Sequence, residues 1–165
     1  MIRLATLADI EPVMHIVKAV VPGMNAAGIF QWDDSYPNAG TFELDISLGQ
    51  LWIAEIDGIV AGFAAITTEQ YPEYADAGLD ITEPAIVTHR LAVSPPHRGK
   101  GIAAALLAQA EQVAVDKRFP ALRIDTNAIN LAAQRLFVQA GYVFAGEMGL
   151  VFRPGLRFFC YEKRL

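Results

Sequence analysis

The sequence predicts a mixed α/β fold, a single sheet of about seven strands flanked by about four helices, and three observations carry that prediction. Apolar residues recur at helical spacing in some stretches and in strand-length blocks in others. Turn formers such as Asp57-Gly58, Ser94-Pro95-Pro96 and Gly141 separate those stretches. The length of 165 residues, with 53% hydrophobic and 19% charged residues, is that of one folded domain spanning residues 1 to 165 and excludes a disordered or fibrous chain.

Taken in order, residues 2 to 5 read as a short strand. Asp9 then caps a helix with Pro12 in its first turn, where a missing N–H costs nothing, and Ile10, Val13, Val17, Val20 and Val21 form its apolar face. Residues 24 to 40 show no period and are rich in turn formers, so an ordered loop is expected before a short helix capped by Thr41 and ended by Gly49. LWIAEI and IVAGFAAI, joined by Asp57-Gly58, form a hairpin, because that dipeptide accommodates the left-handed turn a two-residue connection needs. A polar, acidic segment at 69 to 84 precedes AIVTHRLAV, a buried strand stopped by the prolines at 95 and 96. Residues 101 to 118 are helical, with Ile102, Leu106, Ala110 and Val113 on one stripe, and 121 to 125 form a strand. A last helix over 130 to 140 ends at Gly141, and strands follow at 142 to 147 and 157 to 163.

The formal charge of −5 is unevenly placed. Residues 1 to 89 hold 13 acids and 2 bases, whereas residues 90 to 165 hold 5 acids and 11 bases, which suits one surface for a polyanion and another for a cation. No run of Lys and Arg and no aromatic RNA-binding motif occurs, so a small phosphorylated ligand is expected rather than nucleic acid. No apolar run approaches the roughly 20 residues that cross a bilayer, and Asp9 and Glu11 arrive before a signal peptide could form, so no membrane association and a cytoplasmic address are expected. Cys160 is the only cysteine and reads as a buried strand residue. With it and only His15, His89 and His97, no metal site is expected.

The chemistry resides in LAVSPPHRGKGIAAALLAQA, a strand followed by a basic, glycine-containing loop that opens a helix. Free N–H groups of a first helical turn point outward and the helix dipole favours an anion. Gly99 and Gly101 allow close backbone approach, and Arg98 and Lys100 add positive charge, so a pyrophosphate suits the site. The nucleotide P-loop is excluded because its spacer and its Lys-Ser/Thr pair are missing. Gly99-Lys100-Gly101-Ile102-Ala103-Ala104 also matches the dinucleotide fingerprint, with Asp125 as the ribose acid. Against this, Ser94 to Arg98 separate the glycines from the strand, and too little chain follows them.

These residues resemble the GNAT superfamily of N-acetyltransferases. Arg98-Gly99-Lys100-Gly101-Ile102-Ala103 meets its R/Q-x-x-G-x-G/A signature after the strand end Leu91-Ala92-Val93-Ser94-Pro95, and Asn130, Leu136, Gly141 and Tyr142 lie where the family has corresponding residues. The resemblance implies a mostly antiparallel twisted sheet and acetyl-CoA as cosubstrate, without a metal. It implies that the backbone of Leu91, Ala92 and Val93 binds the pantetheine arm, that Arg98, Gly99, Lys100, Gly101, Ile102 and Ala103 bind the pyrophosphate, and that Asn130 and Phe137 lie near the thiol end.

Acetyl transfer from a thioester to an amine needs a neutral amine, a proton acceptor and relief of charge on the departing thiolate. His89 is the leading base because an ordinary histidine titrates near neutrality and strand alternation puts it on the face of Leu91 and Val93, and Glu83 is the second candidate. Phe137 stands where many family members carry an acidic tyrosine. Tyr142 could replace it, the thiolate could leave without a dedicated acid, or the chain could be a non-catalytic acyl-CoA-binding module. The acceptor, a small-molecule or peptide amine, is expected against Trp32, Tyr36 and Tyr74, with Tyr71, Asp33, Asp34, Glu73 and Glu83 in the same segments, since aromatics and acids suit a cationic amine. Exposed edge strands leave a homodimer open.

Overall fold

The computed structural model describes every residue from Met1 to Leu165. Seven strands lie side by side: β1 (Ile2–Leu4), β2 (Leu51–Ile56), β3 (Ile59–Thr67), β4 (Ala85–Val93), β5 (Ala121–Asn127), β6 (Val143–Leu150) and β7 (Arg153–Arg164). They form one sheet in the order β1-β2-β3-β4-β5-β7-β6. Every neighbouring pair is antiparallel except β4 and β5, which run parallel and are joined through a helix, as a parallel crossover requires. Four α-helices cover the sheet: α1 (Ile10–Ala26), α2 (Ala39–Ser47), α3 (Ile102–Lys117) and α4 (Leu131–Gln139).

Strand alternation sorts the core into two layers. Leu51, Ile53 and Phe63 point to one face, where Val13, Val17 and Val20 of α1 and Phe42 of α2 cover them. Ala64, Ile66, Ile86, Leu122 and Ile124 point to the other, against Leu106, Leu107 and Ala110 of α3 and Phe137 of α4. A third cluster, Tyr74, Val87, Met148, Phe158 and Cys160, lies where the segment 72–75, a 3₁₀ turn, tucks against the sheet beside α1.

Local chemistry explains most boundaries. Asp57 and Gly58 both take positive φ, at 50° and 76°, the requirement of the two-residue turn joining β2 and β3. The cap of α2 is Asn38 rather than the expected Thr41: the Asn38 side chain accepts from the Thr41 amide at 3.0 Å, and the Thr41 hydroxyl accepts from the Asn38 amide at 3.3 Å. Helix α1 runs through Pro22 to Ala26, three residues into the expected loop, because the Asn25 amide holds the chain leaving it by donating to the carbonyls of Ile29 and Trp32. Strands β6 and β7 extend almost to the turn at Val151-Phe152, further than their apolar runs indicated, since an edge hairpin can carry exposed side chains.

The feature that creates the site is a loss of register. β4 pairs with β5 only through Ala85 to Thr88, opposite Ala121 to Ile124. Beyond that point the two strands part. On its other edge β4 carries an extra residue, because Ala65 pairs with His89 but Phe63 with Ala92, and Arg90 adopts the left-handed region at φ 49°. This bulge corrects the expected alternation: Leu91 and Val93 pack toward α3, whereas His89 lies on the opposite face against the Tyr71 ring at 4.8 Å.

Candidate active site

Where β4 and β5 diverge, the sheet opens into a cavity of about 590 Å³ that reaches both faces. On the α3 side it is walled by Leu91, Val93, Arg98, Ala103, Asn130, Ala133 and Phe137. On the α1 side the walls are Met24, Gln31, Trp32, Tyr36, Tyr71, His89, Arg90, Asp125, Phe152 and Arg153.

The α3 side has the shape of an anion-terminated channel. Gly99 and Gly101 take φ of 74° and 78°, and a Cβ built on either would meet nothing within 4 Å, so the glycines leave open space in front of the loop. Gly101 is the N-cap of α3, whose first-turn amides therefore face that space. From His89 to Val93 the β4 edge facing β5 has no strand partner, so its backbone groups are available to an extended ligand lying in the split. Asn130 caps α4 by accepting from the Ala133 amide at 3.2 Å and at the same time lines the cavity. Phe137 is 3% exposed and packs edge-on against Tyr161 and at a tilt against Tyr142.

The α1 side is built by long-range fastening of the loop between α1 and α2. The Gln31 side-chain oxygen Oε1 accepts from the Asn127 backbone N–H at 2.9 Å, sealing the end of the β5 edge. Trp32 stacks on Phe63 at 6.4 Å. The guanidinium of Arg90, lifted by the bulge, donates to both carboxylate oxygens of Asp45 on α2 at 2.8 and 2.7 Å and to the Tyr36 hydroxyl at 3.1 Å. Arg153 donates to Asp33 at 3.0 Å and sits 5.5 Å from the Tyr36 ring centre.

His89 and Asp125 both line the cavity. His89 is buried with Nε2 3.1 Å from the Glu69 carbonyl, and desolvation lowers its pKa to about 4, so it is neutral at pH 7 with Nε2–H donating. This corrects the near-neutral titration expected of it. Asp125, which sequence reasoning considered only as a ribose ligand, is pushed up to about 6 by desolvation, although the Tyr74 hydroxyl donates to it at 2.6 Å and opposes that rise. A carboxyl so poised in a cavity is a candidate functional group. The sequence signal for it, an acid ending a buried strand, was present but ambiguous.

Other predicted residues lie elsewhere. Glu83 is engaged by Arg164 and by the buried Arg123, at 3.1 Å from the latter, on the far edge of β5, and Arg164 holds its carboxyl below the ordinary range. It does not reach the cavity. Tyr74 is completely buried beneath the sheet as the partner of Asp125, because its segment folds inward instead of standing in solvent. Asp33, Asp34 and Glu73 do not line the cavity either. Tyr142 packs behind Phe137, its hydroxyl buried without a partner and its pKa raised by burial. Cys160 is buried, and its thiol is likewise pushed up. No three metal-ligating side chains converge, and no helix is long and apolar enough to cross a membrane.

Comparison with known proteins agrees with this geometry. Residues 19–142 match the model of the acetyltransferase (GNAT) family. The chain belongs to that family. Its members transfer an acetyl group from acetyl-CoA. The chain is 32% identical over 96 residues to mouse N-acetyltransferase 8F1, an alignment covering 58% of this chain and 40% of the relative. It spans less than half the length of the curated relatives it matches. Among solved structures, a GNAT-family acetyltransferase from Streptococcus agalactiae superposes with a TM-score of 0.83 at 28% identity, covering 100% of this chain and 95% of that one. An acetyltransferase from Salmonella typhimurium, solved with its cofactor acetyl-CoA, shares the fold at a TM-score of 0.72 and 21% identity, over 100% and 93% of the two chains.

Proposed function

We propose that this chain is an acetyl-CoA-dependent N-acetyltransferase that takes an amine on the α1 side of the split sheet and acetyl-CoA on the α3 side. The supporting observation is the cavity through the β4–β5 divergence, with the open glycine loop at one end and a buried carboxyl, Asp125, in its wall. The loop from Arg98 to Ala103 holds the pyrophosphate, the free β4 edge at Leu91 to Val93 aligns the pantetheine arm, and Asn130 flanks it. Acetyl-CoA supplies an activated thioester. The amine attacks its carbonyl carbon directly, the C–S bond breaks, and no acyl group is passed to the protein.

We assign proton acceptance to Asp125 rather than to His89 or Glu83. A carboxyl with a pKa of about 6 is ionised at neutral pH yet basic enough to take a proton from the amine as it attacks. His89, at about 4, is the weaker base and has Nε2 committed to Glu69. Tyr74 is a positioning residue that fixes the Asp125 carboxylate. Phe137 has no proton to give and Tyr142 lies behind it, so the thiolate leaves without a dedicated protein acid and takes its proton from solvent.

The test is calorimetric titration with acetyl-CoA, coenzyme A and NAD, followed by an assay of thiol release across a panel of amines. Binding of acetyl-CoA with amine-dependent thiol release is the expected result. Binding without release would make the chain an acyl-CoA-binding module, and NAD binding alone would restore the dinucleotide reading.

A further inference from the structure

Resting on the acetyltransferase reading, we propose that the acceptor is a free amino acid with an apolar side chain, its carboxylate held by Arg153. The charge inventory of the α1 side carries the inference. Asp125 is the only carboxylate lining the cavity, whereas Arg90 and Arg153 both line it from that side. A site for a simple cationic amine would have the opposite balance.

The two arginines are not equivalent. Arg90 is fully committed, with Nε and Nη2 on Asp45 and Nη1 on Tyr36. Arg153 uses only Nη1, on an Asp33 side chain that is 42% exposed. Its Nη2 makes no hydrogen bond, while its Nε is buried with no hydrogen-bond partner and closed to a ligand, so Nη2 is the donor left for a carboxylate. A guanidinium left one-sided in an apolar enclosure is a donor set awaiting an acceptor. Tyr36, stacked beneath it, limits the ways the fork can turn.

The shared cavity accommodates a compact amino carboxylate, since Asp125, Tyr71 and Arg153 all line it. The Tyr71 ring lies between His89, at 4.8 Å, and Phe152, the residue before Arg153, at 5.4 Å. An amine at Asp125 and a carboxylate at Arg153 therefore belong to one enclosure. The remaining wall on this side, Met24, Ile29, Trp32, Leu150 and Phe158, is apolar and suits an aliphatic, thioether or aromatic side chain.

The experiment compares leucine, methionine and phenylalanine with their decarboxylated amines, using the full chain and saturating acetyl-CoA. A site built to bond a carboxylate rejects the analogue that lacks it, and kcat/KM for the amino acids is expected to exceed that for the amines by roughly 10- to 100-fold. Arg153→Met should lower kcat/KM for amino acids by 10- to 100-fold more than for amines, with Arg153→Lys in between. Separately, N-acetylleucine should bind the coenzyme A-loaded protein and lose that binding in Arg153→Met. Equal use of amines and amino acids, or equal losses on both classes in the variant, would overturn the carboxylate site while leaving the acetyltransferase reading intact. Failure of acetyl-CoA itself to bind would overturn both.

Discussion

At the scale of single residues, Asp125 has the most to do, and its environment makes two predictions with opposite signs. Asp125→Asn keeps the shape and an oxygen for the Tyr74 hydroxyl but removes the base. Its kcat should fall by about 10²- to 10⁴-fold, with acetyl-CoA affinity unchanged by calorimetry, and the activity limb with an apparent pKa of about 6 should vanish from the pH profile. A limb near 4 surviving in the variant would return the role to His89. The same substitution should stabilise the fold. A carboxyl whose pKa rises from 3.8 to about 6 on folding contributes stability below 3.8 that is lost as pH climbs through 6. The Tm advantage of Asp125→Asn should therefore be absent at pH 4 and fully developed at pH 7. Stability given up to keep a functional group ionisable in a cavity is the expected trade. For the leaving thiolate, Tyr142→Phe should keep kcat within about twofold, because the hydroxyl is buried and Tyr142 does not line the cavity, and a loss of the size a general acid supplies would reinstate Tyr142.

At the scale of elements, what could be read in advance and what could not divide by the range of the interactions responsible. The β2–β3 hairpin, the α3 N-terminus and the Asn130 cap are set by residues within a few positions of one another, and Asp57-Gly58 and Gly99-Lys100-Gly101 specify their backbone directly. The bulge in β4 has no such local cause. AIVTHRLAV alternates like any buried strand. The left-handed Arg90 is held by Asp45 and Tyr36, 45 and 54 positions away, so alternation alone puts His89 on the wrong face. Tyr74 and Asp125 are 51 positions apart and equally invisible as a pair. The bulge thus depends on its anchor: Asp45→Ala leaves a mostly buried guanidinium without its carboxylate, a loss of about 3 to 5 kcal/mol that a denaturation midpoint would register. If the midpoint held, the bulge would not depend on that pair.

At the scale of the whole molecule, the sheet is two units whose strands meet in a short parallel ladder. β1 to β4 with α1, α2 and α3 form one, and β5 to β7 with α4 form the other, their strands joined through four residue pairs between β4 and β5 and their helices through the core in which Leu106 and Leu107 meet Leu122, Ile124 and Phe137. A ligand in the split touches both: Leu91 to Val93 and the Arg98 loop on one side, Asn130, Ala133 and Phe137 on the other. Binding there ties the units together, and mass action fixes its size. At 100 times Kd, coenzyme A should stabilise the fold by about 2.7 kcal/mol, which for a chain of this length raises Tm by roughly 5 to 11 °C. Gly101→Glu should erase the shift, because Gly101 takes φ 78° before open space, and a glutamate there adds backbone strain, bulk and negative charge where the pyrophosphate approaches. An undiminished thermal shift in Gly101→Glu would mean that coenzyme A binds somewhere other than the split.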